Sequence, residues 1–162
     1  MIEIQFAKVR QSATIPTKLP EDAGYDIYAD LSDVNYIVIE PQETELIPTG
    51  LASAFDAEYG FILKERWSIG SKGIALRSSI VDSGYRGEWK IALTNTTNNP
   101  VIIKKDSYTG PIDPCAIVIS DKEAIAQAVF IKLPLTTTVE VPYEQLKAIH
   151  SLRGIDASSN IG

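Results

Sequence analysis

Apolar residues in this chain recur at every second position, and glycine, proline and asparagine cut the runs short. A period of two belongs to strands with one buried face; a helix needs 3.6. Ile2, Ile4 and Phe6 alternate with Glu3, Gln5 and Ala7. Tyr36–Glu40, Thr44–Pro48, Leu51–Phe55, Tyr59–Lys64 and Glu88–Thr94 read as further strands, as do Val101–Lys104, Ala116–Ile119 and Ile125–Leu133. Turn residues separate them at Pro48-Thr49-Gly50, Gly73, Ser83-Gly84 and Asn98-Asn99-Pro100. Helical patterning is confined to Pro142–Ile149, with proline at the start and Leu146 and Ile149 on one side. Many short strands with regular turns predict an all-β barrel or sandwich with little helix. Two readings of the β-prone stretch Ile131–Val141 stand side by side: an edge strand, or a segment that crosses to a neighbouring chain.

A chain of 162 residues suits one domain. The expected division is a single β domain over 1–152 and a C-terminal arm over 153–162, rich in Gly, Ser and Asn and expected to be mobile in the free protein. With 44% apolar and 22% charged residues, the chain has material for a core and is not a disordered polymer. The net charge of -6 and pI near 4.8 argue against non-specific nucleic-acid binding. A small anion is still within reach of a few converging cations and N–H groups. Cys115 is the only cysteine, so no intramolecular disulfide forms and a cytoplasmic setting is expected; the thiol itself is expected to be buried and inert. No run of about twenty apolar residues suggests a membrane span, and Met1–Arg10 does not read as a signal peptide. His150 stands alone, without a Cys/His cluster, and reads as a surface residue.

Five segments concentrate the chemistry. Ala23–Asp30 (AGYDIYAD) places a glycine before a short strand that carries Asp26. Glu65–Ile74 (ERWSIGSKGI) offers Arg66, Ser68, Gly70 and Lys72 in a turn, donors suited to a polyphosphate or simply a charged strand-to-loop junction. Ser79–Glu88 (SIVDSGYRGE) contains Asp82, Tyr85 and Arg86 around Asp-Ser-Gly, which is also good β-turn chemistry. Glu123–Phe130 (EAIAQAVF) carries Gln127 in an otherwise apolar strand. The tail begins at Arg153-Gly154.

Taken in order, the first four segments resemble the motifs of the trimeric dUTP diphosphatase (dUTPase) family, bacterial and phage type; the tail resembles the fifth motif in part. The resemblance implies a jelly-roll-type barrel of the β-clip kind with a flexible arm that closes on the site. It implies hydrolysis of dUTP to dUMP and pyrophosphate, with Asp82 orienting and activating the attacking water. Tyr85 would pack under the deoxyribose and exclude a 2′-hydroxyl. A hairpin from about Leu76 to Tyr85, including Ile80, would read uracil through its main chain. Arg66, Ser68, Gly70, Gln127 and Arg153 would hold phosphates. Asp26 would support the site and the metal–water network, and Arg86 would brace the hairpin by pairing with a carboxylate. Mg²⁺ is implied, held by triphosphate and water with no direct protein ligand. A homotrimer with shared sites is implied, with dUTP as ligand and no nucleic acid or membrane partner.

The sequence also departs from the family pattern. Trp67 falls where the family usually has serine, Lys122-Glu123-Ala124 replaces Gly-Asp-Arg, Asp106–Asp121 is longer than the common bacterial form and reads as an inserted loop plus a strand, and the tail lacks the aromatic residue that stacks on uracil. A dCTP deaminase shares the fold but lacks the Asp-x-x-Tyr constellation. A regulatory protein of this fold that binds a protein partner, as some phage-type relatives do, is the alternative from a different class.

Overall fold

The computed structural model describes residues 1–149, so Arg153, His150 and the arm over 153–162 lie outside the described residues. Twelve strands and two short helices follow one another: β1 (Gln5–Lys8), β2 (Tyr25–Tyr28), β3 (Tyr36–Ile39), β4 (Thr44–Pro48), β5 (Leu51–Ala54), β6 (Tyr59–Lys64), α1 (Trp67–Gly70), β7 (Ile74–Leu76), β8 (Ile80–Asp82), β9 (Lys90–Asn95), β10 (Val101–Lys104), β11 (Ile117–Ser120), β12 (Ala124–Lys132) and α2 (Tyr143–Lys147). They form four small sheets, ordered β1-β5, β11-β10-β3, β2-β12-β6-β8 and β4-β9-β7. The architecture is all-β, and the pairing is antiparallel except between β10 and β11. A parallel pair needs a long connection, and the loop over 105–116 supplies it.

The sheets share one core. Ile27, Ile39, Ile47, Phe61, Ile91 and Ile103 are fully enclosed, each from a different strand. Phe6, Phe61 and Trp89 meet there, with ring centroids 5.2 to 6.0 Å apart, geometry that aromatic pairs favour. Each enclosed side chain of this size contributes about 2 kcal/mol. Asn95 is fully buried at the end of β9 and is fully employed. Its amide donates to the carbonyls of Ile39 at 2.9 Å and Asn99 at 2.8 Å, while its oxygen accepts from the N–H and hydroxyl of Thr97.

Four expectations need correction. Leu76–Tyr85 is not a two-stranded hairpin: β7 pairs with β9 while β8 pairs with β6, in different sheets, with Arg77–Ser79 crossing between them. The turn after Arg66 contains a helical turn, α1, closed by N–H bonds from Ile69 and Gly70 to the Arg66 carbonyl. Cys115 is exposed, because it sits on the connecting loop, where its N–H donates to the Asp113 carboxylate, and not in β11. β12 ends at Lys132, so the segment over 133–142 is no edge strand; Leu135 and Val139 are exposed there.

Candidate active site

Period-two geometry sets out the first half of the site. On β8, Val81 enters the core while Ile80 and Asp82 face outward. A turn follows, closed by the Tyr85 N–H donating to the Asp82 carbonyl at 3.1 Å. The turn brings the Tyr85 ring back beside Asp82. Asp82, Tyr85 and Ile80 thus wall one cavity of about 250 Å³, together with Ser78, Trp89 and Lys90. Tyr85 is 48% exposed and Ile80 65%, so both are available to a ligand. Ser78 and Lys90 were not anticipated. The signal for Lys90 was its place beside the buried Trp89, which puts it on the opposite, outward face of β9.

Arg86 braces this turn, though not through a carboxylate. Its guanidinium donates to the backbone carbonyls of Ser53, Ser83 and Tyr85. All three bonds leave from Nη1, two of them to carbonyls of the turn itself and one to Ser53 on β5, so the guanidinium ties the turn to that strand.

The second half lies on the far side of β6. Arg66 lies two residues past the end of that strand, as the N-cap of α1, and its Nη1 donates to Asp26 Oδ2 at 2.6 Å. Gln127 on β12 sits in register between Asp26 on β2 and Lys64 on β6. Asp26 and Gln127 therefore stand opposite each other on adjacent strands, with Arg66 held to Asp26 from the start of α1. Gly24 allows this by close approach: a Cβ there would lie 2.6 Å from Gln127 Cγ and 2.8 Å from the Ala128 carbonyl. Ser68 and Trp67 are both exposed on α1, Trp67 at 86%. A Cβ at Gly70 would make only an ordinary contact with Glu65, at 3.6 Å, so the site does not require glycine there on steric grounds. The glycine the turn does require is Gly73, at φ +80°.

Charge is ordered around the turn. Lys72 stands 3.5 Å from Glu123, which joins the second and fourth segments. Glu65 is held below its ordinary carboxylate range by its own backbone N–H and by that of Leu76, which donates at 3.1 Å.

The two halves are separate within one chain. Asp82 pairs with Gly60 on β6, whereas Gln127 pairs with Lys64 four residues along. Strand rise and spacing put them on the order of 16 Å apart. A second cavity, of about 290 Å³, lies between the connecting loop and the β3–β10 face, among Tyr36, Val38, Ile102, Ile112, Glu40 and Asp113, away from both halves.

A small all-β domain with a carboxylate-and-tyrosine cavity, and an arginine aimed by a carboxylate beside an amide across β6, defines a class suited to phosphorylated ligands. A family model described as dUTPase matches residues 10–108. A relative from Nautilia profundicola named deoxyuridine 5′-triphosphate nucleotidohydrolase is 31% identical over 149 residues, covering 86% of this chain and 87% of its own. The chain belongs to the dUTPase family. Solved structures share the fold. One is the D95N dUTPase of phage phi11 of S. aureus, described with a structural Mg(II) ion (TM-score 0.67, 23% identity, 86% of this chain and 96% of that one). Another is the Staphylococcus bacteriophage 80alpha dUTPase, described among phage dUTPases that control transfer of virulence genes (TM-score 0.68, 23% identity, 86% and 96%).

Proposed function

We propose that this chain hydrolyses dUTP to dUMP and pyrophosphate. The observation that carries the reading is the shared cavity of Asp82 and Tyr85. Asp82 orients a water toward the α-phosphorus and accepts its proton as the new P–O bond forms. The bond from the α-phosphorus to the bridging oxygen breaks, and pyrophosphate leaves. Tyr85 lies against the deoxyribose and leaves no room for a 2′-hydroxyl. Outward-facing backbone around Ile80 contacts the base.

Arg66, Ser68 and Gln127 hold phosphate oxygens, with Asp26 keeping the Arg66 fork in place. Arg153 would add a further cation from the arm. The phosphate side offers one guanidinium, one hydroxyl, one amide and one carboxylate. That set would leave Mg²⁺ to be held by triphosphate oxygens and water, with Asp26 supporting the ion's water network. The ion would neutralise phosphate charge.

The separation of the halves supports a site pooled between copies of the chain. Neighbouring phosphates of one triphosphate are far closer together than Asp82 and Gln127 are within this chain. A homotrimer in which one copy supplies Asp82 and Tyr85, and another Arg66 and Gln127, brings the halves together. A second reading, a regulatory protein partner, is favoured by the cavity under the loop over 105–116 and by the phage neighbour; it is compatible with catalysis.

Pyrophosphate release from dUTP with Mg²⁺, comparing the intact chain with Asp82→Asn, tests the leading reading. Rapid release that falls by roughly 10² or more in the variant is expected. No release from the intact chain would overturn it.

A further inference from the structure

Tyr85 is held at both ends. Besides its N–H bond to Asp82, its hydroxyl donates to the Glu88 carbonyl at 3.1 Å. Its ring lies over Gly87, where a Cβ would come within 2.6 Å of the hydroxyl oxygen and 2.8 Å of Cζ. Residues 85–88 thus form a small closed loop that sets the plane of the ring.

That loop is fastened to the body of the protein through Glu88. The Glu88 side chain is only 14% exposed and stands 3.4 Å from the Nε of Arg10. It also accepts the Gly50 N–H at 2.9 Å. Beside it, the Trp89 N–H donates to the Leu51 carbonyl and the Thr49 hydroxyl to the Trp89 carbonyl, both at 2.7 Å. Arg10 is in turn bonded to Ser32 and paired with Asp33. Neither Arg10 nor Glu88 lines the cavity. Of the anchors at residues 88 and 89, the Arg10–Glu88–Gly50 set is the one that side-chain substitution can remove in steps.

We propose that Arg10 and Glu88 are positioning residues for Tyr85, so that discrimination between deoxyribose and ribose is tuned by an ion pair outside the pocket; this rests on the dUTP reading above. A ring fixed in one plane is a rigid wall against a 2′-hydroxyl. A ring whose tether is loosened yields to it, and the wrong sugar gains more than the right one loses.

The test labels the full chain with 3-fluorotyrosine and follows the Tyr85 ¹⁹F resonance, identified by its loss in Tyr85→Phe. Turnover of dUTP and UTP is measured alongside. Glu88→Ala is expected to shift or broaden the Tyr85 signal and to narrow the dUTP-to-UTP ratio of kcat/KM about tenfold. Glu88→Gln keeps an oxygen for the Gly50 N–H but loses the charge facing Arg10, so it is expected to lie, like Arg10→Ala, between the intact chain and Glu88→Ala. An unchanged Tyr85 signal in Glu88→Ala, or dUTP and UTP rates that fall in step, would overturn the proposal. Should Glu88→Ala fail to fold, an unchanged signal and ratio in Arg10→Ala would overturn it equally. Absence of dUTP turnover in the intact chain would count against the functional reading, while the ¹⁹F signals still decide the tether.

Discussion

Arg66 Nη1 donates to Asp26 Oδ2 at 2.6 Å, a bond that spans β12 and joins the start of α1 to β2. The side chains are 39% and 31% exposed, so the pair contributes about 1 kcal/mol or less to stability. Its value lies in aiming the guanidinium. Asp26→Asn is expected to lower kcat/KM for dUTP by about tenfold with the melting temperature nearly unchanged. Steady-state kinetics and a thermal melt on the same preparation check this; a collapse of the melting temperature would make the pair structural.

Gly24 separates β2 from β12 by less than a methyl group allows. Gly24→Ala must push Gln127 aside or part the strands. A loss of about 1–3 kcal/mol is expected by urea denaturation, together with a raised KM, because Gln127 shares the contact. A variant with wild-type KM would show that Gln127 does not touch the substrate.

Asn95 makes four hydrogen bonds inside the core. Asn95→Ala removes these bonds from the Ile39 carbonyl and the Thr97 N–H, while the Thr97 hydroxyl and Asn99 carbonyl keep each other, and is expected to cost about 2–3 kcal/mol. The denaturation midpoint should fall while its slope holds, since the exposed surface on unfolding is unchanged.

Asp30 makes stability fall in acid. Burial, the largest single influence, raises its pKa, but the Ser12 hydroxyl, the Ser32 N–H and hydroxyl, and the charge of Arg10 together outweigh it and hold the group below 3.8. A carboxyl with a depressed folded pKa takes up its proton first in the unfolded chain. Its contribution is complete above the ordinary carboxylate range and is lost as pH drops through the lower folded value. Glu65 carries the same sign. Denaturation between neutral pH and about pH 3 should show a fall that is shallower in Asp30→Asn. Identical pH profiles would remove Asp30 from the account.

Local pattern and tertiary partnership divide what the sequence discloses. β4, β6 and β10 begin and end at the predicted residues, because short runs of β-branched, aromatic and other apolar residues between turns leave little choice of boundary. The α2 turn follows Pro142 as predicted. α1 was missed, since four residues carry no helical period. The split of β7 and β8 between sheets was missed because pairing partners are long-range. Asp82 and Tyr85 share a cavity because the two turn residues between them, Ser83 and Gly84, determine their spacing, which is readable locally. The carbonyl partners of Arg86 were not readable, since any residue supplies a carbonyl. Cys115 was expected inside because cysteine usually is, and an inserted loop overrode that preference.

Asp82 and Gln127 flank β6 at different heights. Where copies pool their halves, damage is not confined to the chain that carries it. A Tyr85-side mutant and an Arg66-side mutant, each inert alone, would on mixing regenerate some sites composed wholly of sound halves. An inactive allele, conversely, would poison the sites of its healthy neighbours.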